Sequence, residues 1–502
     1  VGKILKLWRS DSIWIYILSF FALSQHLLVS QRLGYCSDEL YFIDCSKNLD
    51  FGYFDITPIV PVLIRIVRTV FGNSLMALRL IPALGHATTI LLTGLIAKEL
   101  GGGRFSRTFS SLCVLIAPAF LRVGSVFILA SLEAPIWTLV LYLVLLIIKY
   151  NRPQFWIWVG LVAGLGFMVK PAILLLVVGL TLGLLLTPWR VYFLNRWIWL
   201  GGLIALVVML PNLIWQLNHD WATLEFIQSV KSSSRIQSID LNQFLFGQVF
   251  YLHPINAVVW ISGIYYFFRS SAARYQLFGW IYIIVLTVLV SQGSKLYYLL
   301  PIYPILLAAG SFQFEKWIQT SKSKGLGTGF IVVFFGAGVL LSPGGLPLFS
   351  VDEFDRFANV AAFGLISSKQ APEAFEMYKE MEGLEREKMI QDVAKIYSAL
   401  PFEERRKTSI IANYYGQAGA INLFGPNYGL PQSISGSVNY YLWGTRGQTA
   451  EVAITVGYKL DFLNHVFKEV MAVPENPKIF LCRYPTHALN QIWPQFKVYP
   501  NL

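Results

Sequence analysis

The chain has 502 residues, 55% of them hydrophobic and only 14% charged, with a mean hydropathy of +0.55. Soluble domains carry about 25% charged residues, so the composition excludes an ordinary soluble protein and points to an integral membrane one. The formal charge of +12 is spread over short segments between apolar runs, with no compact basic domain to bind nucleic acid.

Apolar runs near 12–30, 76–97, 106–123, 125–148, 155–169, 171–188, 197–216, 247–268, 275–293, 297–314 and 327–347 approach the roughly 20 residues that cross a bilayer. They predict a polytopic α-helical membrane protein with about 11 transmembrane helices in a domain spanning 1–347. The run 155–169 is short, and Lys170-Pro171 splits it from the next, so these two form a tight hairpin. Basic residues then sort to one side: Lys3, Lys6 and Arg9, Lys98, Arg104 and Arg107, Lys149 and Arg152, Arg190 and Arg196, Arg269 and Arg274, and Lys316, Lys322 and Lys324. The positive-inside rule places the N-terminus in the cytoplasm of a cell (inner) membrane and 31–75, 217–246 and the tail outside. Arg65 and Arg68 are exceptions within a long amphipathic loop.

From about 348 to 502 the chain is charged and lacks any spanning run. Glu and Lys recur at helical spacing from Ala371 to Leu400. Short apolar runs follow at Ser409 to Ala412, Val452 to Val456 and Lys478 to Cys482. Strands alternating with helices predict a small extracytoplasmic α/β domain. Cys36, Cys45, Cys113 and Cys482 show no metal-ligand spacing. If Asp38 to Leu49 is one helix, Cys36 and Cys45 stand about 13 Å apart at ~1.5 Å per residue. A disulfide needs Cα atoms within about 7 Å, so free thiols are expected.

The residues with chemical potential fall into a few motifs. Carboxylates crowd beside the first apolar run in Gly34-Tyr35-Cys36-Ser37-Asp38-Glu39-Leu40-Tyr41-Phe42 and again in Gly52-Tyr53-Phe54-Asp55-Ile56-Thr57-Pro58. Ionisable groups next to a bilayer are costly and by default mark function. Further on come Ser131-Leu132-Glu133-Ala134-Pro135, then Gly164-Leu165-Gly166-Phe167-Met168-Val169-Lys170-Pro171. His219-Asp220-Trp221-Ala222-Thr223-Leu224-Glu225-Phe226 and Gly293-Ser294-Lys295-Leu296-Tyr297-Tyr298-Leu299-Leu300-Pro301 complete the set.

Together these motifs resemble glycosyltransferase family 39, the protein O-mannosyltransferase and aminoarabinose transferase group of bacterial membrane enzymes with GT-C architecture. The resemblance covers nearly the whole chain. It implies an inverting transferase that moves a hexosyl or pentosyl group from a polyprenyl-phosphate sugar donor to an acceptor hydroxyl on a lipid, glycan or protein. A protein acceptor would normally bring a recognition domain between spans, and none is evident, so lipid or glycan is favoured. Two departures stand out: the family's Tyr-Tyr-Asp-His-Pro-Pro lacks its His here, with Ile56 and Thr57 following Asp55, and its Thr-Asp-x-Pro carries Glu133 instead of Asp.

The resemblance makes Asp38 the catalytic base, assisted by Glu39. An alternative is that Asp38 or Ser37 simply caps a helix, and that Glu39 faces the helix dipole. Asp55 is a substrate-binding candidate or an Asx turn before proline. Glu133 would orient a basic partner or join Asp38 or Asp55 around a metal; as a bland alternative it starts a helix. Lys170 and Lys295 would hold the donor phosphate, or contact lipid headgroups. Tyr297 and Tyr298 would bond phosphate or sugar, or sit in an aromatic belt. His219 is an acceptor-side candidate, while His26, His86 and His253 read as packing residues. Gly416-x-x-Gly419 is a weak nucleotide signal. No cofactor or metal is required, because lysines can neutralise the leaving group, although a divalent cation is compatible. The rival class is a transporter or flippase of an anionic lipid-linked sugar, which would place charge at the bilayer midplane within repeated halves. No repeat is seen.

Overall fold

The computed structural model describes residues 12–232, 241–320, 342–361 and 372–499, with scattered positions between 329 and 340. Part of the run 327–347 lies outside the described residues, as do Lys3, Lys6, Arg9, Lys322 and Lys324. The chain falls into two compact units that interleave in sequence. The first comprises Val1–Arg32, Val70–Ile214 and Gln237–Ala371; the second comprises Leu33–Thr69, Trp215–Ile236 and Pro372–Leu502. The second unit therefore starts later than 348 and takes in most of two segments read from sequence as loops.

The first unit is helical. Leu75–Glu99, Ala130–Tyr150, Arg196–Asn218, Ala273–Ser291 and Leu296–Thr320 are each long and apolar enough to cross a membrane. Three further apolar stretches are bent pairs, which raises the number to as many as eight among the described residues, and Ile13–Val29 and Pro153–Phe167 are shorter apolar helices. The structure thus supports a multi-spanning helical protein while breaking two of the expected runs, 106–123 and 247–268, and turning sharply at the end of a third, 171–188.

Each break contains or adjoins a proline. Pro118 starts a second helix after Ala117 turns extended, and the axes of Arg104–Ile116 and Pro118–Ser125 differ by 64°. A residue before proline is disfavoured in the helical region, which forces such a turn. Leu241–Tyr251 and Pro254–Phe268 differ by 110° around His253, whose φ is +90° and whose ring accepts from the Ile255 amide at 3.2 Å. The pair Ile173–Leu185 and Pro188–Leu194 bends by 107°.

Close helix contact in this unit rests on small residues, as is usual in membranes. A Cβ on Gly310 would lie 1.9 Å from the Val259 carbonyl oxygen, and one on Gly263 would lie 2.1 Å from that of Leu306. Only glycine lets Pro254–Phe268 and Tyr303–Thr320 touch backbone to backbone. His26 and His86 are buried packing residues: His26 Nε2 lies 2.7 Å from His86 Nδ1, and its Nδ1 lies 3.0 Å from Ser125 Oγ.

The second unit is built on a five-stranded sheet. Its strands are β1 (Thr408–Ala412), β2 (Ile434–Ser435), β3 (Val452–Val456), β4 (Phe467–Val473) and β5 (Asn476–Pro485), in the order β2-β1-β3-β5-β4. β1 pairs in parallel with β2 and β3, while β5 runs antiparallel between β3 and β4. β1 and β3 are buried throughout, as central strands covered on both faces must be. Ile410, Ile454 and Val456 pack with Leu40, Met389, Ile390 and Ile421. Ile411 and Ala453 pack with Leu463, Leu489, Ile492 and Phe496. The three expected strands are present. β2 is only two residues long, and β4 is an edge strand with exposed Lys468 and Glu469.

The acidic motif forms the helix Ser37–Lys47, shorter than the expected Asp38 to Leu49. Its N-cap is Cys36, not Ser37 or Asp38. All four cysteines are buried and none forms a disulfide.

Candidate active site

Glu39 occupies the third position of the acidic helix and closes a capping box, its Oε2 accepting from the Cys36 amide at 3.0 Å. Buried and engaged with the helix start, it serves the fold of this turn. Asp38, one residue earlier, is half-buried and accepts at Oδ1 from the Tyr415 hydroxyl at 2.8 Å. Asp44, two turns on, takes the Tyr440 hydroxyl at 2.6 Å and the Asn422 amide at 2.7 Å on Oδ2, and Lys47 at 2.7 Å on Oδ1. None of Tyr415, Tyr440 or Asn422 stood out in sequence, although Tyr415 directly precedes the Gly416-x-x-Gly419 motif.

That motif is a packing device. A Cβ on Gly416 would meet Ser37 Oγ at 2.4 Å, and one on Gly419 would meet the Leu40 backbone at 2.9 Å. Two helices, Tyr415–Phe424 and Ser37–Lys47, approach across these glycines. The nucleotide reading has no support here, since the glycines are filled by protein.

Asp55 accepts at Oδ1 from the Tyr41 hydroxyl at 2.6 Å. Burial pushes its carboxyl up to about 7; the charge of Asp38 adds to this, and the Tyr41 bond opposes it. Burial first, and then the facing carboxylates Asp55, Asp38 and Asp44, hold the phenols of Tyr41, Tyr415 and Tyr440 well above their ordinary value. All three are therefore neutral donors. The loop carrying Asp55 is held by Asn439, which accepts from the Phe54 amide at 3.0 Å, and by Trp215, whose ring fills the space beside Gly52.

His219 stacks on Trp215 with centroids 3.9 Å apart, and its Nδ1 lies 2.9 Å from the Trp215 carbonyl. Those contacts fix the ring within its own helix end. Glu225, in the same motif, pairs with Lys497 at 2.6 Å and takes the Tyr499 hydroxyl.

In the first unit, three motifs meet around one ammonium. Lys170 Nζ lies 2.7 Å from Glu133 Oε2, with the side chains 12% and 4% exposed. The same ammonium sits 4.4 Å from the Tyr298 ring centre and 5.2 Å from that of Tyr297. The two rings stack 4.6 Å apart. Glu133 thus orients a basic partner, and that partner is Lys170. Glu133 lies in the first turn of Ala130–Tyr150, and Lys170 follows the end of Trp156–Phe167. Lys295 caps the short helix Leu296–Ile302 that carries both tyrosines. A cation held against aromatic faces and a carboxylate can take a second anion. Among the described residues, no group of three or more His, Cys, Asp or Glu side chains is placed to hold a metal ion.

Residues 55–215 match the family model described as dolichyl-phosphate-mannose-protein mannosyltransferase. The lipid A galacturonosyltransferase RgtD of Rhizobium johnstonii is 26% identical over 263 residues, which make up 51% of this chain and 55% of that protein. The match thus spans about half the length of this curated relative. ArnT from Cupriavidus metallidurans bound to undecaprenyl phosphate has a TM-score of 0.59 at 15% identity, covering 94% of this chain and 98% of that one. Its apo state gives 0.57 at 14% identity, covering 93% and 97%. At these identities the structures establish a shared fold. Motifs, family match and fold all support one class, a membrane glycosyltransferase of the GT-C type.

Proposed function

We propose that this protein transfers a sugar from a polyprenyl-phosphate-linked donor to a hydroxyl of a lipid or glycan acceptor at the extracytoplasmic face of the cell membrane. The observation that carries the reading is the meeting of Glu133, Tyr297 and Tyr298 around the Lys170 ammonium, where the family resemblance links Lys170 and the tyrosine motif to the donor phosphate. ArnT was solved with undecaprenyl phosphate and RgtD acts on lipid A, which fits a lipid-linked donor and a lipid acceptor.

In this reading Asp38 removes the proton from the acceptor hydroxyl. The oxygen attacks the anomeric carbon, the bond from that carbon to the phosphate oxygen breaks, and the electron pair leaves on polyprenyl phosphate. Lys170 and Lys295 neutralise the charge that develops there. The proton ends on Asp38, and inversion follows from the single displacement that the family resemblance implies. Asp55 orients substrate beside the base, and His219 stands on the acceptor side. With lysines balancing the leaving group, chelation of divalent cations leaves the rate within about two-fold of the untreated enzyme.

The test uses purified protein in lipid, a panel of radiolabelled polyprenyl-phosphate sugars and a membrane extract as acceptor source. Wild type transfers label from one donor and Asp38→Asn does not. Equal transfer by Asp38→Asn removes Asp38 as the base. Donor binding without transfer from any donor in the panel would move the protein to the transporter class.

A further inference from the structure

The acidic helix Ser37–Lys47 and the C-terminal sheet unit are one folded body, and this has a consequence for the chemistry. Asp38 is met by Tyr415, which lies 377 residues away in sequence. The Tyr415 ring is buried and fixed from two sides, with Tyr414 at 4.3 Å and Tyr41 at 5.2 Å between ring centres. Its helix comes close enough to reach Asp38 only because Gly416 and Gly419 leave no side chain against Ser37 and Leu40. Asn422, from the same helix, holds Asp44, and Asn439 holds the backbone ahead of Asp55.

We infer that Tyr415 is a positioning residue for the reaction: its hydroxyl fixes the rotamer of the Asp38 carboxylate, so the C-terminal unit sets the geometry of the base. This rests on the proposed role of Asp38. Burial, and then the charge of Asp38, keep the Tyr415 phenol protonated, so it is a permanent donor. A base must meet the acceptor proton within hydrogen-bond reach, and a carboxylate free to rotate spends much of its time out of line. A neutral donor is suited to this task because it orients the carboxylate without cancelling its charge.

The test is Tyr415→Phe in the full-length protein, which keeps the ring and removes only the hydroxyl. Loss of one hydrogen bond to a charged group predicts a kcat lower by about 10- to 100-fold. KM for the donor stays within about two-fold, since donor binding is assigned to other residues. Tyr458→Phe is the control, because it removes a buried hydroxyl bonded to the Ala412 carbonyl in the same sheet unit. It keeps wild-type kcat. A Tyr415→Phe enzyme with wild-type kcat overturns the inference while leaving Asp38 as the base if Asp38→Asn is dead. Parallel loss of kcat, donor KM and thermal midpoint in Tyr415→Phe also overturns it, because that pattern reports general unfolding. An active Asp38→Asn enzyme overturns both readings together.

Discussion

At Lys170 a cation is buried against its own counter-ion, whereas Asp38 and Asp55 each meet a neutral phenol. Asp44, on the same helix as Asp38, combines both solutions, with Lys47 on one oxygen and Tyr440 and Asn422 on the other. The cationic cluster sits among apolar helices, where an unpaired charge is expensive, so a carboxylate must accompany it. The acidic cluster belongs to a small mixed sheet with helices, and needs direction more than neutralisation. The first cluster should therefore fail when charge balance is broken. The second should fail when geometry is broken.

The largest effect falls on the acidic side. Asp38→Asn keeps shape and hydrogen bonding to Tyr415 but removes the proton acceptor, and kcat drops by about 10³-fold or more. Retained activity would leave the cluster a purely structural device. On the cationic side, Glu133→Gln leaves the Lys170 ammonium buried without its counter-ion and costs about 3–5 kcal/mol of stability. Lys170→Met in that background restores most of the lost thermal midpoint, yet leaves transfer from donor depressed by about 100-fold. If Lys170→Met alone transfers sugar normally, the ion pair serves the fold and not the phosphate.

Gly416→Ala tests geometry without touching charge. Its Cβ would land 2.4 Å from Ser37 Oγ and 2.6 Å from Ser37 Cβ, so the two helices must separate. Overpacking of this kind costs about 1–3 kcal/mol, and separation also draws Tyr415 away from Asp38. Thermal melting and kcat are expected to fall together. Normal values for both would show that the contact is looser than the glycine spacing demands.

How much of this was readable in the chain depends on range. Apolar runs and the Lys170-Pro171 split are local, and most spans follow from them. Hydropathy alone carries no direction, so the reading ran straight across Pro118 and His253-Pro254, where the backbone turns. The acidic motif was legible because carboxylates beside an apolar run are costly. Its partners were not, since no local pattern links Asp38 to Tyr415 or Asp44 to Tyr440. Gly416-x-x-Gly419 reads as a weak nucleotide signal in sequence, whereas in the fold the glycines admit Ser37 and Leu40. Glu39 was paired with Asp38 by adjacency, and the helical turn gives the two different partners.

The smallest effect concerns Asp55, and its sign is opposite to that of a salt-bridged carboxylate. Its native carboxyl titrates at about 7 against an ordinary 3.8, mainly through burial and secondly through Asp38. Below about pH 4 both folded and unfolded chains hold the proton, and the group's stabilising contribution is complete. As pH rises from about 4 to about 7, the unfolded state releases its proton while the folded state retains it, so stability declines through that window and is level above it. Because Asp55 is partly exposed, solvent screening trims the effect to roughly 2–4 °C in thermal midpoint. Asp55→Asn cannot ionise. It should match wild type near pH 4 and melt higher by that margin at pH 8. A gap of constant size across the range, or one that favours wild type at high pH, would mean that Asp55 ionises normally. The neutral Tyr41 bond would then suffice to keep it charged.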